Sequence, residues 1–149
     1  MHIIGSSRFD ILLTTLMAWV IAQSLKVVLG VSREKRFDFR WFVGTGGMPS
    51  SHAAVVSALT TAVGLHTGFS SPSFYIALVF TIVVLFDAQG VRRSSGKQAE
   101  ILNRILDDIY WKKKIQEERL RELVGHTPIE VFAGTILGIF VALIFFGLL

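Results

Sequence analysis

Four long apolar runs dominate this chain and restrict what it can fold into. They extend over Ile11–Leu29, Ala53–Gly68, Phe74–Phe86 and Val131–Leu149. A helix needs about 20 residues to cross a bilayer, with a range of about 17 to 25. The first and last runs satisfy this requirement, whereas the middle two need flanking residues. The sequence therefore predicts an all-α integral membrane bundle with about four transmembrane helices.

The composition favours one membrane domain over residues 1–149. Hydrophobic residues make up 52% of the chain, and the mean hydropathy is clearly positive. A soluble fold with the middle runs as a buried hairpin is disfavoured, because no polar helical face would cover it. The absence of cysteine excludes disulfides and thiolate metal sites. We assign the net charge of +4 to membrane orientation rather than to nucleic-acid binding.

Basic residues are concentrated in the first and third connections between the runs. The second connection, His66–Ser73, contains no lysine or arginine. Because spans alternate in direction, the first and third connections share one membrane face. Basic connections remain in the cytoplasm. We therefore predict that this face is cytoplasmic and that the membrane is the plasma membrane.

Two further patterns concern helices and their packing. The segment Gln98–Leu123 has apolar residues at spacings of three and four, which predicts a cytoplasmic amphipathic helix, or a pair broken near Tyr110. It either lies on the membrane surface or packs on its own protein.

In the last run, Gly134 and Gly138 form a small-xxx-small pair, which predicts close packing of two helices.

Three polar islands lie at the edges of the runs and, by alternation, at the cytoplasmic face. They are Gly46–His52, Asp87–Arg93 and Gly125–Glu130. Ionisable groups at such positions are functional candidates. The islands bring two histidines, several cations and a carboxylate to one boundary. This combination predicts an active site that handles a phosphate.

The first island has the pattern of a helix start. Pro49 precedes Ser50 and Ser51, and serine is a favoured N-cap residue. The amide groups and dipole at a helix N-terminus attract anions. His52 would then stand beside a phosphate bound there. The alternative is an interfacial histidine that only hydrogen-bonds a loop.

The third island allows two interpretations of Glu130. The residue follows His126 by four positions, so its carboxylate can orient the imidazole and leave the other ring nitrogen to react. However, Thr127-Pro128-Ile129-Glu130 also has the pattern of a capping box with proline at the first helical position. Both interactions can hold in different conformers, but one carboxylate rarely serves both fully.

Cations complete the candidate site. Arg92 and Arg93 follow a polar turn, and the planar fork of arginine fits phosphate oxygens. Lys26 and Arg33 are seven residues apart and share a face if their helix continues that far. Asp87 is expected to pair with one of these cations or to cap the turn.

These residues resemble the motifs of the type 2 phosphatidic acid phosphatase superfamily, which includes the vanadium haloperoxidases. Lys26 and Arg33 have the spacing of the first motif. Pro49-Ser50-Ser51-His52 resembles the Pro-Ser-Gly-His motif. Arg92 or Arg93, with His126 and Glu130, resembles the third motif, in which aspartate usually stands where Glu130 does. The three islands more specifically resemble the divergent membrane branch of this superfamily.

The resemblance implies a membrane phosphatase-like domain with a role for each residue. His126 would be the nucleophile, oriented by Glu130, and His52 would protonate the leaving alcohol. The substrate phosphate would be held by Lys26, Arg33, Ser50, Ser51, Arg92 and Arg93, with Asp87 in support. No cofactor or metal is expected. The implied substrate is a lipid phosphate monoester or pyrophosphate.

Two departures leave other functions open. The amphipathic segment separates the arginines from His126, and about four spans replace the usual six of the main branch. The reduced core is compatible with a homo-oligomer in which a second copy closes the site. The alternative function is a catalytically silent membrane protein that binds anionic lipid headgroups or scaffolds a partner. A transporter or channel ranks third, because no ionisable residue sits mid-span as a relay would.

The predicted sidedness can be tested with single cysteines, since the chain has none of its own. In intact cells, Ser70→Cys should react with an impermeant thiol reagent and Lys97→Cys should be protected. Labelling of both positions from outside would show that the spans do not alternate as predicted.

Overall fold

The computed structural model describes residues 8–35, 47–89, 98, 101–103 and 126–149. They include four helices: α1 (Arg8–Glu34), α2 (Ser51–Thr67), α3 (Pro72–Gln89) and α4 (Pro128–Phe145). The predicted all-α class is confirmed. Residues 98 and 101–103 are also helical, and the rest of the predicted amphipathic segment Gln98–Leu123 lies outside the described residues.

Three of these helices are long and apolar enough to cross a membrane. The candidate spans are Phe9–Ser32 in α1, Pro72–Gln89 in α3 and Pro128–Phe145 in α4. Helix α2 has 17 residues, at the lower limit of about 17 for a spanning helix. The helical membrane bundle is confirmed, and its four helices comprise three clear spans and one shorter helix.

Helix α2 occupies the centre of the described bundle. It packs against α1, α3 and α4, whereas α1 and α3 make no contact with each other within the described ranges. One buried cluster joins Ala18, Ala58 and Val141 of α1, α2 and α4. A second joins Ala53, Ala88 and Val131 of α2, α3 and α4. These pairings place the start of α2 and α4 at the same end as the C-termini of α1 and α3.

The close approach of α4 to α2 depends on two glycines. A Cβ atom added at Gly134 would collide with the Ser50 carbonyl oxygen, and one added at Gly138 would collide with the Ala54 carbonyl oxygen. Small residues at a helix interface allow backbones to approach closely within a membrane. The predicted small-xxx-small packing site is therefore confirmed, and α2 is its partner.

Hydroxyl groups join α2 to α3. The Thr60 and Thr81 hydroxyl oxygens lie 2.7 Å apart. The Thr60 hydroxyl is 3.0 Å from the Ala77 carbonyl oxygen, and the Thr81 hydroxyl is 3.0 Å from the Val56 carbonyl oxygen. Hydrogen bonds between helices contribute to their association in lipid, because lipid tails are as apolar as the helix surfaces and give no hydrophobic driving force. The α2–α3 contact thus includes hydrogen bonds between side-chain hydroxyl groups, in addition to the apolar contact of Ala53 with Ala88.

The glycine contact predicts a specific loss of stability. Gly138→Ala should lower the free energy of unfolding by about 1–3 kcal/mol, because the added methyl group meets backbone atoms that cannot easily move. Thermal unfolding in detergent measures this change. Ile136→Val is the control, since it alters the same helix by one carbon at a side chain that is 51% exposed. An unchanged melting temperature for Gly138→Ala would contradict the packing described.

Candidate functional site

The candidate site lies where α2 and α4 begin. Helix α2 starts after Ser50, an extended N-cap residue whose Oγ accepts the Ala53 N–H at 3.4 Å. This hydrogen bond satisfies an amide group that has no acceptor within the helix. The predicted helix start is confirmed, and it places His52 in the first turn of α2. We call this end of the bundle the histidine end, after His52 and His126.

Helix α4 begins with the predicted capping box. Thr127 Oγ1 accepts the Glu130 N–H at 3.3 Å, and Glu130 Oε2 accepts the Thr127 N–H at 3.0 Å. Pro128 lies at the start of the helix, where its missing N–H has no cost. Because the two contacts are reciprocal, they fix the direction in which the chain enters α4.

Glu130 also contacts His126. Its Oε2 atom lies 3.2 Å from His126 Nδ1, the same oxygen that accepts the Thr127 amide. One carboxylate oxygen therefore takes part in both interactions at once. His126 directly precedes the N-cap residue, so its ring and the next amide reach one oxygen. A carboxylate on Nδ1 holds the proton there and leaves Nε2 as the basic ring nitrogen.

His52 and His126 lie side by side although they are far apart in the sequence. Their ring centroids are 6.1 Å apart, with the ring planes at 59°. His126 is buried, with 1% of its surface exposed, and His52 is partly exposed. The Ser50 N–H donates to the Glu130 carbonyl at 3.0 Å, which ties the two helix starts together. This backbone bond fixes how the histidines are placed relative to each other.

Lys26 reaches the same region from α1. Only 5% of its surface is exposed, so its ammonium group loses most of its contact with water, and the negative charge of Glu130 offsets this loss only in part. An ammonium group is costly to bury unless an opposite charge compensates it. Gly47, with φ +94°, passes over the Lys26 side chain, because a Cβ added at Gly47 would lie 3.4 Å from Lys26 Cγ. The first polar island therefore covers Lys26 as well as presenting His52.

Helix ends of both signs lie at the histidine end. The N-termini of α2 and α4 each carry a partial positive charge, and the C-termini of α1 and α3 each carry a partial negative charge. The first amides of α4 are engaged by Thr127 and Glu130. At the start of α2 the Ala53 amide is engaged by Ser50 in the same way, and Ser51 is buried beside His52.

The other residues predicted for the site are placed less completely. Helix α1 continues to Glu34, which confirms that Lys26 and Arg33 belong to one helix. Asp87 is partly buried in the last turn of α3. Arg92 and Arg93 lie outside the described residues, and their contact with phosphate stays a prediction.

No role in this site was predicted for two glycines near the histidines. Gly134 allows the approach at Ser50, and Gly47 covers Lys26. The Gly46-Gly47 pair before the serines was a signal for an unusual backbone, and the glycine pair in α4 was a signal for close packing. Neither pattern shows which group lies against the glycine, which is the Lys26 side chain at Gly47 and the Ser50 carbonyl at Gly134.

The histidine end offers few metal ligands among the residues that the structure describes. In the parts of the chain that the structure describes, no three histidine, aspartate or glutamate side chains are grouped so that they could hold a metal ion. The pair His126 and Glu130 provides two donors, fewer than a catalytic zinc site requires. A metal-free site stays a prediction.

The fold and the histidine pair define a helical membrane protein with a candidate anion site at one end of the bundle. Residues 8–141 match the model of the Divergent PAP2 family, and the chain belongs to that family. An uncharacterized membrane protein of Bacillus subtilis (strain 168), YuiD, is 38% identical over 144 residues, covering 89% of this chain and 91% of the relative. No solved structure matches. The resemblance inferred from the three islands is confirmed.

Proposed function

We propose that the protein is a metal-independent phosphatase that hydrolyses a lipid phosphate monoester or pyrophosphate through a phosphohistidine, at the cytoplasmic face of the membrane. The observation that carries this proposal is the 3.2 Å contact between Glu130 Oε2 and His126 Nδ1, with His52 at 6.1 Å from the same ring. An oriented nucleophile beside a second titratable group is the arrangement that covalent catalysis needs. Family membership supports the same reaction class.

The reaction has two steps at His126. Nε2 attacks phosphorus as the bond between phosphorus and the lipid oxygen breaks, and His52 supplies the proton that the departing oxygen takes. Water then attacks the phosphohistidine and gives its proton to His52, and the phosphorus–nitrogen bond breaks to release phosphate. Glu130 stabilises the positive charge that the ring carries while it is phosphorylated.

Charge around the phosphate supports this chemistry. Phosphoryl transfer depends mainly on positioning and on stabilising the non-bridging oxygens. Lys26 and the start of α2 supply positive charge within the described residues. By family resemblance, Arg33, Arg92 and Arg93 add guanidinium groups, and Ser50 and Ser51 add donors. The site lies at the end of a membrane bundle, where a lipid headgroup is presented.

A second candidate function has an observation of its own. The His126 side chain is 0% exposed, and Glu130 is already engaged in the capping box. In this alternative the histidine and its carboxylate only fix the start of α4, and the protein binds anionic headgroups without turnover. The two candidates differ in whether phosphate is released.

Activity measurements on purified protein with a chelator present distinguish them. Wild type should release phosphate from phosphatidic acid, and His126→Ala should abolish release because no other group replaces the nucleophile. His66→Ala is the matched control, since it removes a histidine from the opposite end of α2. Near wild-type turnover by His126→Ala would refute the proposed role, and binding without turnover by wild type would favour the second candidate.

The role of His52 can be tested with two leaving groups. His52→Ala should slow release from phosphatidic acid by about 10²- to 10⁴-fold, the usual contribution of a general acid. A nitrophenyl phosphate needs little protonation of its leaving oxygen, so its hydrolysis should fall much less. Equal losses on both substrates would contradict a general acid at this position.

A further inference from the structure

Three faces of α2 are occupied by the other helices. Ser50 and Ala54 lie against the glycines of α4. Ala58 packs with Ala18 of α1, and Thr60 bonds to α3. Residues along a helix advance by about 100° each. The contacts with α1 and α3 therefore lie on opposite sides of α2, with the contact to α4 between them.

The fourth face of α2 is only partly covered. His52, Val55, Leu59 and Val63 recur at spacings of three and four, and each is partly exposed. They lie opposite the face that packs on α4. Helices α1 and α3 flank this strip without touching each other within the described ranges. We call the strip the α2 groove.

The α2 groove has the dimensions and polarity of a lipid chain in one leaflet. From His52 to Val63 it is about 16 Å long at 1.5 Å per residue. This is about half of a hydrocarbon core that is about 30 Å thick. Its only titratable residue, His52, lies at the histidine end, and aliphatic side chains follow towards the membrane centre.

We propose that the α2 groove binds one acyl chain of the lipid phosphate whose headgroup occupies the site at the histidine end. The proposal rests on the proposed function and adds that the substrate is selected by its chain as well as by its phosphate. His52 belongs to both the groove and the site. A chain lying on Val55 and Leu59 therefore brings the attached phosphate ester to the histidine pair.

The residue types favour a lipid chain over a helix from a second copy. Where α2 contacts α4, it presents serine and alanine to glycine, the small residues that close helix packing requires. The groove instead presents branched side chains that are already partly buried. Such a strip offers aliphatic contact to a narrow chain but does not permit close approach of another backbone.

A bulky residue in the groove provides the first test. Val55→Trp should reduce kcat/KM for dioleoyl phosphatidic acid by at least about tenfold, most of it in KM, and leave hydrolysis of glycerol phosphate nearly unchanged. An equal effect on both substrates would overturn the proposal, because it would mean a general disturbance of the site.

The matched control is Val83→Trp on α3. Thr81 bonds to the Val56 carbonyl, and Ala88 packs with Ala53, so Val83 lies at the membrane depth of Val55. The Val83 side chain is 60% exposed and faces away from α2. We expect this variant to hydrolyse both substrates at wild-type rates. A loss like that of Val55→Trp would show that any added tryptophan at this depth is harmful.

Photolabelling separates this proposal from the proposed function. Phosphatidic acid with a diazirine in mid-chain should label the Val55–Val63 segment in wild type and in His126→Ala. Excess unlabelled phosphatidic acid should reduce labelling at least about fivefold, and phosphatidylcholine should not. Equal competition by phosphatidylcholine would overturn the proposal, because bulk lipid would then fill the groove. Specific labelling of a wild-type protein that shows no turnover would support the acyl-chain site and refute the proposed phosphatase activity.

A single cysteine tests the rival occupant. Under oxidation, Leu59→Cys should form no disulfide-linked dimer if a lipid chain occupies the groove. Formation of a disulfide-linked dimer, prevented by substituting Leu59 with serine instead, would show that a second copy packs on this face. That outcome would overturn the proposal.

Discussion

The arrangement of the histidine end depends on the backbone contact between α2 and α4. Gly134 and Gly138 let α4 approach the Ser50 and Ala54 carbonyls more closely than any residue with a Cβ would allow. Only at that separation can the Ser50 N–H reach the Glu130 carbonyl at 3.0 Å. Since lipid offers no hydrophobic drive for helix association, van der Waals packing and hydrogen bonds of this kind must hold the bundle together.

The same contact connects the fold to the proposed chemistry. His52 follows Ser50 by two residues, and Glu130 both caps α4 and contacts His126. The residues that start the helices are therefore the residues that position the imidazoles. Both helix starts are capped and a hydrogen bond joins them, which favours a preorganised site for phosphoryl transfer.

The elements predicted from sequence are those that depend on local patterns. The apolar runs predicted the helices, serine and threonine predicted their starts, and Gly134 with Gly138 predicted close packing. The central position of α2 was not predicted, because a helix that is apolar on all sides gives no period that identifies its partners. Its many alanines were an available signal, since small residues permit neighbours on several faces.

The candidate site was predicted as a set of residues rather than as a geometry. Alternation of the spans brought His52 and His126 to one face, as the structure also places them. The double contact of Glu130 was missed because the two patterns were weighed as alternatives. Spacing along a chain cannot reveal that one carboxylate oxygen serves an imidazole and an amide together. The burial of Lys26 beneath Gly47 likewise depends on tertiary contacts.

The most direct measurement is chemical trapping of the phosphorylated protein. Wild type mixed with phosphatidic acid labelled in its phosphate and quenched rapidly in base should carry the label on His126, because phosphohistidine is stable in base and is lost in acid. His52→Ala should still accept the label from a substrate with a good leaving group. Label on another residue, or hydrolysis by wild type with no trapped phosphoprotein, would contradict the proposal that His126, placed by the starts of α2 and α4, is the nucleophile.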